Sequence, residues 1–195
     1  MVTDEDPRSQ RERMLAGDLY RADDPELTAL ARRAALLVQR YNSTPADRPE
    51  QHRALLHELL GAVGAQVVVR PPFYCDYGSQ IRIGDRSFLN FNAVLLDVAT
   101  IEIGADVQIG PNVQLLTPHH PLDPEQRRAG WEAARPITIG DNVWLGGGVI
   151  VLGGVTIGPG TAVGAGSVVT RDLPAGVLAV GNPAQVRRPL APAPG

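Results

Sequence analysis

The sequence predicts a mainly β protein: a parallel β-helix of hexapeptide repeats with a helical N-terminal segment and one long inserted loop. Three observations predict it. Ile139, Leu145, Val151, Ile157, Val163 and Val169 stand six apart without a slip, and Gly140, Gly146, Gly158 and Gly164 follow four of them. The same spacing joins Ile103, Ile109 and Leu115, and again Ile83, Leu89 and Leu95. A period of six fits neither the 3.6 of a helix nor the 2 of a strand. It fits a unit of one short strand and one tight corner, with the recurrent apolar residue pointing inward and glycine freeing the backbone at the turns. An all-β sandwich would instead repeat about every 8–12 residues.

The elements follow in chain order. Residues 1–8 are polar and expected to fray. From Arg11 to Arg21 the pattern is helix-like, with Met14, Leu15, Leu19 and Tyr20 as its apolar face. Asp24-Pro25 marks a helix start, an N-cap followed by proline in the first turn. Leu27, Leu30, Ala31, Ala34, Leu37, Val38 and Tyr41 then recur at three and four residues, ending near Asn42. A second helix starts at Asp47-Arg48-Pro49, buries Leu55, Leu56, Leu59 and Leu60, and stops at Gly61 or Gly64. These helices form a segment over 9–64, and the repeat domain follows over 65–188, its strands beginning at Val67–Val69.

Weaker apolar positions such as Val107, Val113, Val143, Val149 and Val155 fall between the main ones. Eight residues separate Leu95 from Ile103, which predicts a two-residue insertion near Ala99-Thr100. Leu115 precedes Ile139 by four hexads, and within that gap lies a loop over 117–135 rich in proline, with two adjacent histidines and a tryptophan. A loop that long inside a compact repeat is usually functional. The tail, 189–195, is Pro/Ala-rich and expected to be disordered.

Net charge is −3, so no global basic field draws nucleic acid or an anionic membrane. All 18 basic residues are arginine, so a phosphate gripped ionically would meet Arg, backbone N–H groups or His. The single Cys75 excludes an internal disulfide. No N-terminal stretch resembles a signal peptide and no apolar run reaches about 18 residues, so a cytoplasmic location is expected.

A β-helix by itself specifies no chemistry. Of the four histidines, His52 and His57 read as part of a solvated helix face. His119 and His120 lie in the inserted loop, where an imidazole that titrates near neutrality can act as general base; pattern alone leaves that role and a surface position both open. Asp76 in YCDYGS could accept hydrogen bonds from hydroxyls, and Asn90 in FLNFN could donate to an oxyanion, although Asp also serves turns and Asn left-handed corners. For Asn92 and Asp97 the structural roles are the stronger reading. Metal binding lacks a third ligand beside His119 and His120, so no metal site is expected. Gly146–Gly148 lacks the GK[ST] and following helix of a phosphate loop.

The motifs MLAGDLY, RYN, FYCDYGSQIRIG, FLNFN, the loop HP with a following R-x-x-G, NVWLGGG, VTIG, GAGSVVTRDLP and GNPA together resemble the sugar O-acetyltransferases of the left-handed β-helix superfamily, in particular the maltose and galactoside acetyltransferases. The similarity runs over roughly residues 13 to 188. The resemblance implies acetyl transfer from acetyl-CoA to a sugar hydroxyl in a homotrimer whose active sites lie between subunits, with no membrane or nucleic-acid partner. His120 matches the catalytic base, Asn90 a residue at the reacting centre and on the substrate, and Asp76 an acceptor-binding position. Cys75 is at no nucleophile position, so transfer is direct.

The resemblance further places the pantetheine arm near Trp144, Gly147 and Ala165, with Thr170 and Arg171 beyond and Arg188 at the nucleotide phosphates. Gln185 stands where some relatives have Arg, and Arg187 could compensate. Ala22 and Val98 stand where the resemblance gives the galactoside type aspartates, which points toward a maltose- or glucose-like acceptor or an untested one. Two other readings stand beside this one: the same chemistry on an antibiotic, amino sugar or lipo-oligosaccharide, with Asp76, Trp131 and Glu132 deciding, and a non-catalytic assembly protein of the same shape.

Overall fold

Three parallel sheets wrap around a single apolar column. The computed structural model describes residues 6–190. The first face stacks Ala62–Val63, Ile81–Ile83, Ile101–Ile103, Ile137–Ile139 and Thr156–Ile157. The second stacks Val68–Val69, Phe88–Leu89, Gln108–Ile109, Trp144–Leu145, Ala162–Val163 and Val177–Val180, closed by the antiparallel strand Gln185–Pro189. The third stacks Phe73–Cys75, Ala93–Leu96, Gln114–Leu116, Ile150–Leu152 and Val168–Val169.

Each hexad supplies one strand, so three hexads complete a coil and bring Ile139 into register with Ile157. The inward residues Leu95, Leu115, Val151, Ile157 and Val169 have no solvent exposure. Burying each such side chain contributes about 1.5–3 kcal/mol, an upper range because the unfolded chain is itself partly collapsed.

The edge between the third and first faces departs from the six-residue rhythm, and it carries the site. The insertion predicted between Leu95 and Ile103 is there. The coil before has the same excess, since Cys75 pairs with Leu95 and Ile83 with Ile103. In the next coil the edge opens into the long loop, while Ile139 still pairs with Ile103. The spacing of Leu115 and Ile139 therefore contains one hexad step, and the rest of the gap leaves the prism.

Two expectations for the N-terminal segment need correction. Helix α1 covers only Gln10–Ala16, set by a capping box between Ser9 and Glu12 and stopped by Gly17 at φ 77°. Leu15 is exposed, and Tyr20 belongs not to a helix but to the strand Tyr20–Arg21, which pairs with Trp131 and Glu132 of the loop. Strand pairing with the loop outweighs helix propensity here. Helix α2 spans Pro25–Ser43, with the Asp24 carboxylate accepting the N–H groups of Glu26 and Leu27. Helix α3 spans Pro49–Leu59 and caps the base of the prism with Leu55, Leu56 and Leu59.

The solenoid begins at Ala62–Val63, ahead of Val67. Of the end expected to fray, residues 1–5 lie outside the described residues, whereas Arg8 pairs with Asp6 at 2.7 Å and Asp18 at 2.8 Å. Of the tail expected over 189–195, Pro189 closes the last strand and Leu190 N–H donates to Gly176 O, and 191–195 lie outside the described residues. Asn92 sits at φ 60°, the left-handed corner role expected for it.

Candidate active site

The loop folds back as an antiparallel hairpin. Pro118–His119 pairs with Trp131–Ala134, joined by the short helix α4, Pro124–Arg128, which Asp123 caps. The strand Tyr20–Arg21 adds to its outer edge, giving a three-stranded sheet beside the prism. A second apolar cluster of Met14, Tyr20, Leu27, Tyr77, Val98, Ala99 and Ala134 binds this sheet and the N-terminal helices to the prism edge.

Between hairpin, N-terminal segment and edge lies a pocket of about 320 Å³ whose walls include Tyr20, Ala22, Asp76, Tyr77, His120 and Glu132. It is continuous through Ala22, His120 and Glu132 with an outer lobe of about 380 Å³ reaching Asp23 and Arg127. Strand alternation decides between the two histidines: Pro118 and His120 line the pocket, whereas His119 pairs with Ala133 and faces the other side. Partial burial and the neighbouring charges of Arg135 and His120 lower the pKa of His119.

The same alternation separates Trp131 from Glu132. Both were expected to shape acceptor choice, yet only Glu132 lines the pocket; the Trp131 ring is covered by the guanidinium groups of Arg13 and Arg21 at 5.2 and 5.8 Å. Burial, and then the charges of Asp97 and Glu132, raise the Asp76 carboxyl to about 6. Burial and nearby carboxylates also raise Tyr77, to about 12, and Tyr20 further. Asp97 itself is fully buried and lies outside the pocket, holding the corner that carries Asp76. Burial pushes the Cys75 thiol up strongly, which leaves it no thiolate near neutral pH.

The remaining predicted residues fall into two groups. Asn90, Gly147 and Ala165 occupy the edge between the second and third faces, with the Gly110-Pro111 corner between Asn90 and Gly147 and Ala165 on the coil after Gly147. The Asn90 amide oxygen accepts Phe91 N–H at 2.9 Å, leaving its Nδ2 to donate. Gly148 N–H donates to Pro111 O and Gly166 N–H to Gly147 O, while the N–H groups of Gly147 and Ala165 find no partner among the described residues. Trp144 projects from the adjoining face, 57% exposed. Thr170 and Arg171, by contrast, lie at the edge that carries His120, and Arg188 lies on the closing antiparallel strand.

One chain thus separates His120 and Asp76 from Asn90 by the width of the third face. The four residues of Ala93–Leu96, at about 3.3 Å each, span about 13 Å. Sequence reasoning missed Tyr20 and Tyr77 as pocket walls: Tyr20 lay in a helix-like pattern, and Tyr77 carried no signal beyond its place in YCDYGS. Among the described residues no group of three or more His, Cys, Asp or Glu is placed to hold a metal ion, and no helix is long and apolar enough to cross a membrane.

A prism of hexads with a histidine-bearing loop at one edge and a bare glycine edge beside it is the architecture of hexapeptide-repeat acyltransferases. Residues 13–64 match the maltose acetyltransferase hexapeptide capping motif, and residues 136–171 the bacterial transferase hexapeptide motif of six repeats. The chain is 54% identical over 180 residues to nodulation protein L of Rhizobium meliloti, covering 92% of this chain and 98% of that protein. The crystal structure of a maltose O-acetyltransferase from Clostridium difficile superposes with a TM-score of 0.94 at 42% identity, covering 96% of this chain and all of that one. A galactoside acetyltransferase in complex with coenzyme A superposes with a TM-score of 0.91 at 38% identity, covering 94% and 92%. The chain belongs to the maltose/galactoside O-acetyltransferase family, and its solenoid is the left-handed β-helix of that family.

Proposed function

We propose that the protein transfers the acetyl group of acetyl-CoA to a hydroxyl of a maltose- or glucose-like sugar. The observation that carries this reading is the meeting of His120 and Asp76 in one pocket, roofed by the N-terminal segment. His120 takes the proton of the acceptor hydroxyl as its oxygen forms a bond to the thioester carbonyl carbon. Asn90 Nδ2 donates to the resulting oxyanion. Collapse of the tetrahedral species breaks the C–S bond, and the imidazolium returns the proton to the departing thiolate. Transfer is direct, because the only cysteine, partly buried, has a strongly raised pKa. Asp76 and Glu132 accept hydrogen bonds from acceptor hydroxyls.

The glycine edge suits the donor. Residues 146–148 and 164–166 carry no side chain larger than a methyl group, two backbone N–H groups there find no partner among the described residues, and Trp144 stands exposed alongside. Gly147 and Ala165 would take the amides of the pantetheine arm and Trp144 its flank, with Thr170, Arg171 and Arg188 toward the nucleotide. The thioester would supply the activated acetyl group. Because His120 and Asn90 stand on different edges of one prism, a complete site draws on a neighbouring subunit, as a homotrimer would provide.

A second acceptor class, amino sugars, is favoured by one feature. Asp76 and Glu132 bring two carboxylates to the same pocket, which suits a cationic amino group on the acceptor. Mass spectrometry after incubation with acetyl-CoA tests both readings. The expected product is maltose or glucose carrying one alkali-labile acetyl ester. An alkali-stable acetyl amide, or modification of amino sugars alone, would overturn the neutral-sugar reading.

A further inference from the structure

Wherever the solenoid turns a corner, backbone N–H groups fall outside the inter-coil ladder, and buried side chains take several of them up. Ser87 Oγ accepts Val107 N–H, Thr161 Oγ1 accepts Val177 N–H, and Ser167 Oγ accepts Gly181 N–H. Thr117 Oγ1 accepts Ala99 N–H at 3.0 Å and donates to Leu96 O at 2.6 Å. All four are neutral hydroxyls. Carboxylates hold other corners too, where Asp85, Asp141 and Asp172 accept the N–H groups of Ala65, Ala105 and Thr156, but those three are exposed; the corner that carries Asp76 is different, because a buried carboxylate holds it. Asp97 has no solvent exposure; its Oδ1 accepts Asp76 N–H at 3.1 Å and Tyr77 N–H at 2.9 Å, and its Oδ2 accepts Gln80 N–H at 3.1 Å.

The residues form a ladder up one edge of the prism. Thr117 holds the turn on which Asp97 stands, and Asp97 holds the turn on which Asp76 and Tyr77 stand. Thr117 is also the residue from which the His120 loop departs. A charged acceptor makes stronger hydrogen bonds than a hydroxyl and takes three donors at once, at the cost of burying a charge. At corners with no pocket beside them the buried acceptors are Ser or Thr and the carboxylates stay exposed, so corner closure alone does not require a buried charge.

We propose that Asp97 is the positioning residue of the acceptor site: without touching substrate, it fixes the 76–80 corner so that Asp76 faces the acceptor beside His120. This rests on the acceptor-binding reading of Asp76 given above. The groups facing Asp76 include Asp97 and Glu132, with Tyr77, Tyr20 and His120 on the same pocket. Removing the Asp97 charge therefore removes one of the groups that oppose ionisation of Asp76.

The test is Asp97→Asn, nearly equal in shape but uncharged, compared with Asp76→Asn and the double variant. The expected result for Asp97→Asn is an acceptor KM raised about 10-fold, with KM for acetyl-CoA within about twofold of the parent. The acid limb of acceptor kcat/KM should move to lower pH, a change that loosened packing would not produce. In the double variant the acceptor KM should match that of Asp76→Asn alone, because the two act as a unit. Thr117→Val, one rung up, should give a smaller effect of the same kind, and it carries the test if Asp97→Asn fails to fold. An unchanged acceptor KM, an equal rise for both substrates, or additive effects in the double variant would overturn the proposal. Unchanged acceptor KM in Asp76→Asn alone would instead refute the reading of Asp76 as an acceptor ligand.

Discussion

Asp76 and Glu132 stand across one pocket from each other, and the Glu132 charge adds to burial and to Asp97 in holding the Asp76 carboxyl up to about 6. Asp76 is then a good acceptor of hydroxyl hydrogen bonds only above that pH. Acceptor kcat/KM should fall as pH drops through about 6, and in Asp76→Asn the contribution of this carboxyl should disappear from the acceptor term, leaving that of the general base, while the acetyl-CoA term keeps its profile.

The same residue makes a stability prediction of opposite sense to an ordinary salt-bridged carboxylate. Its native pKa lies above the ordinary 3.8, so the native state holds more protons between about 4 and 6 and loses stability as pH rises through that window. Discounted for partial exposure, the loss at pH 7 is on the order of 1 kcal/mol. Asp76→Asn should raise the melting temperature by about 2–4 °C at pH 7.5 and leave it nearly unchanged at pH 4. Equal melting temperatures at both pH values would contradict this.

The paired histidines should behave unequally. His120→Ala is expected to lower kcat by about 10²–10⁴, the range for loss of a general base, with the fold intact by circular dichroism. His119→Ala, on the outer side of the hairpin, should stay within a few-fold of the parent. Steady-state kinetics of the two variants side by side decides the assignment.

Subunit sharing of the site can be read by complementation. His120→Ala and Asn90→Ala chains, each expected to lose about 10²-fold or more alone, should regain activity when co-refolded, toward about a quarter of parental sites for random mixing. A site contained within one chain would show no recovery.

Two adjacent glycines should separate folding from donor binding. A Cβ at Gly146 would meet Ala165 N at 2.6 Å, so Gly146→Ala should destabilise by about 1–3 kcal/mol in thermal melts. A Cβ at Gly147 meets nothing nearer than Pro111 at 3.4 Å, so Gly147→Ala should melt like the parent but raise KM for acetyl-CoA.

Much of this architecture was legible in the sequence because a hexad is a local rule. Ile139 or Val163 points inward wherever the chain coils at that period, and Asp24 or Pro25 starts a helix on neighbour chemistry alone. What stayed hidden depends on distant partners. Tyr20 looked helical because its strand exists only through pairing with Trp131 and Glu132. His119 and His120 could not be told apart until the hairpin fixed which side each faces. Asp97 read as an ordinary turn residue, since its three N–H donors belong to the previous coil.

Acetyl transfer through His120 underlies every role assigned above. Its most direct test is release of CoA thiol from acetyl-CoA across a panel of maltose, glucose, galactosides, amino sugars and chloramphenicol, with His120→Ala in parallel. The expected result is release that depends on maltose or glucose and is lost in the variant while CoA binding by calorimetry persists. Acceptor-dependent release that survives in His120→Ala, or no release with any acceptor and no CoA binding, would contradict it.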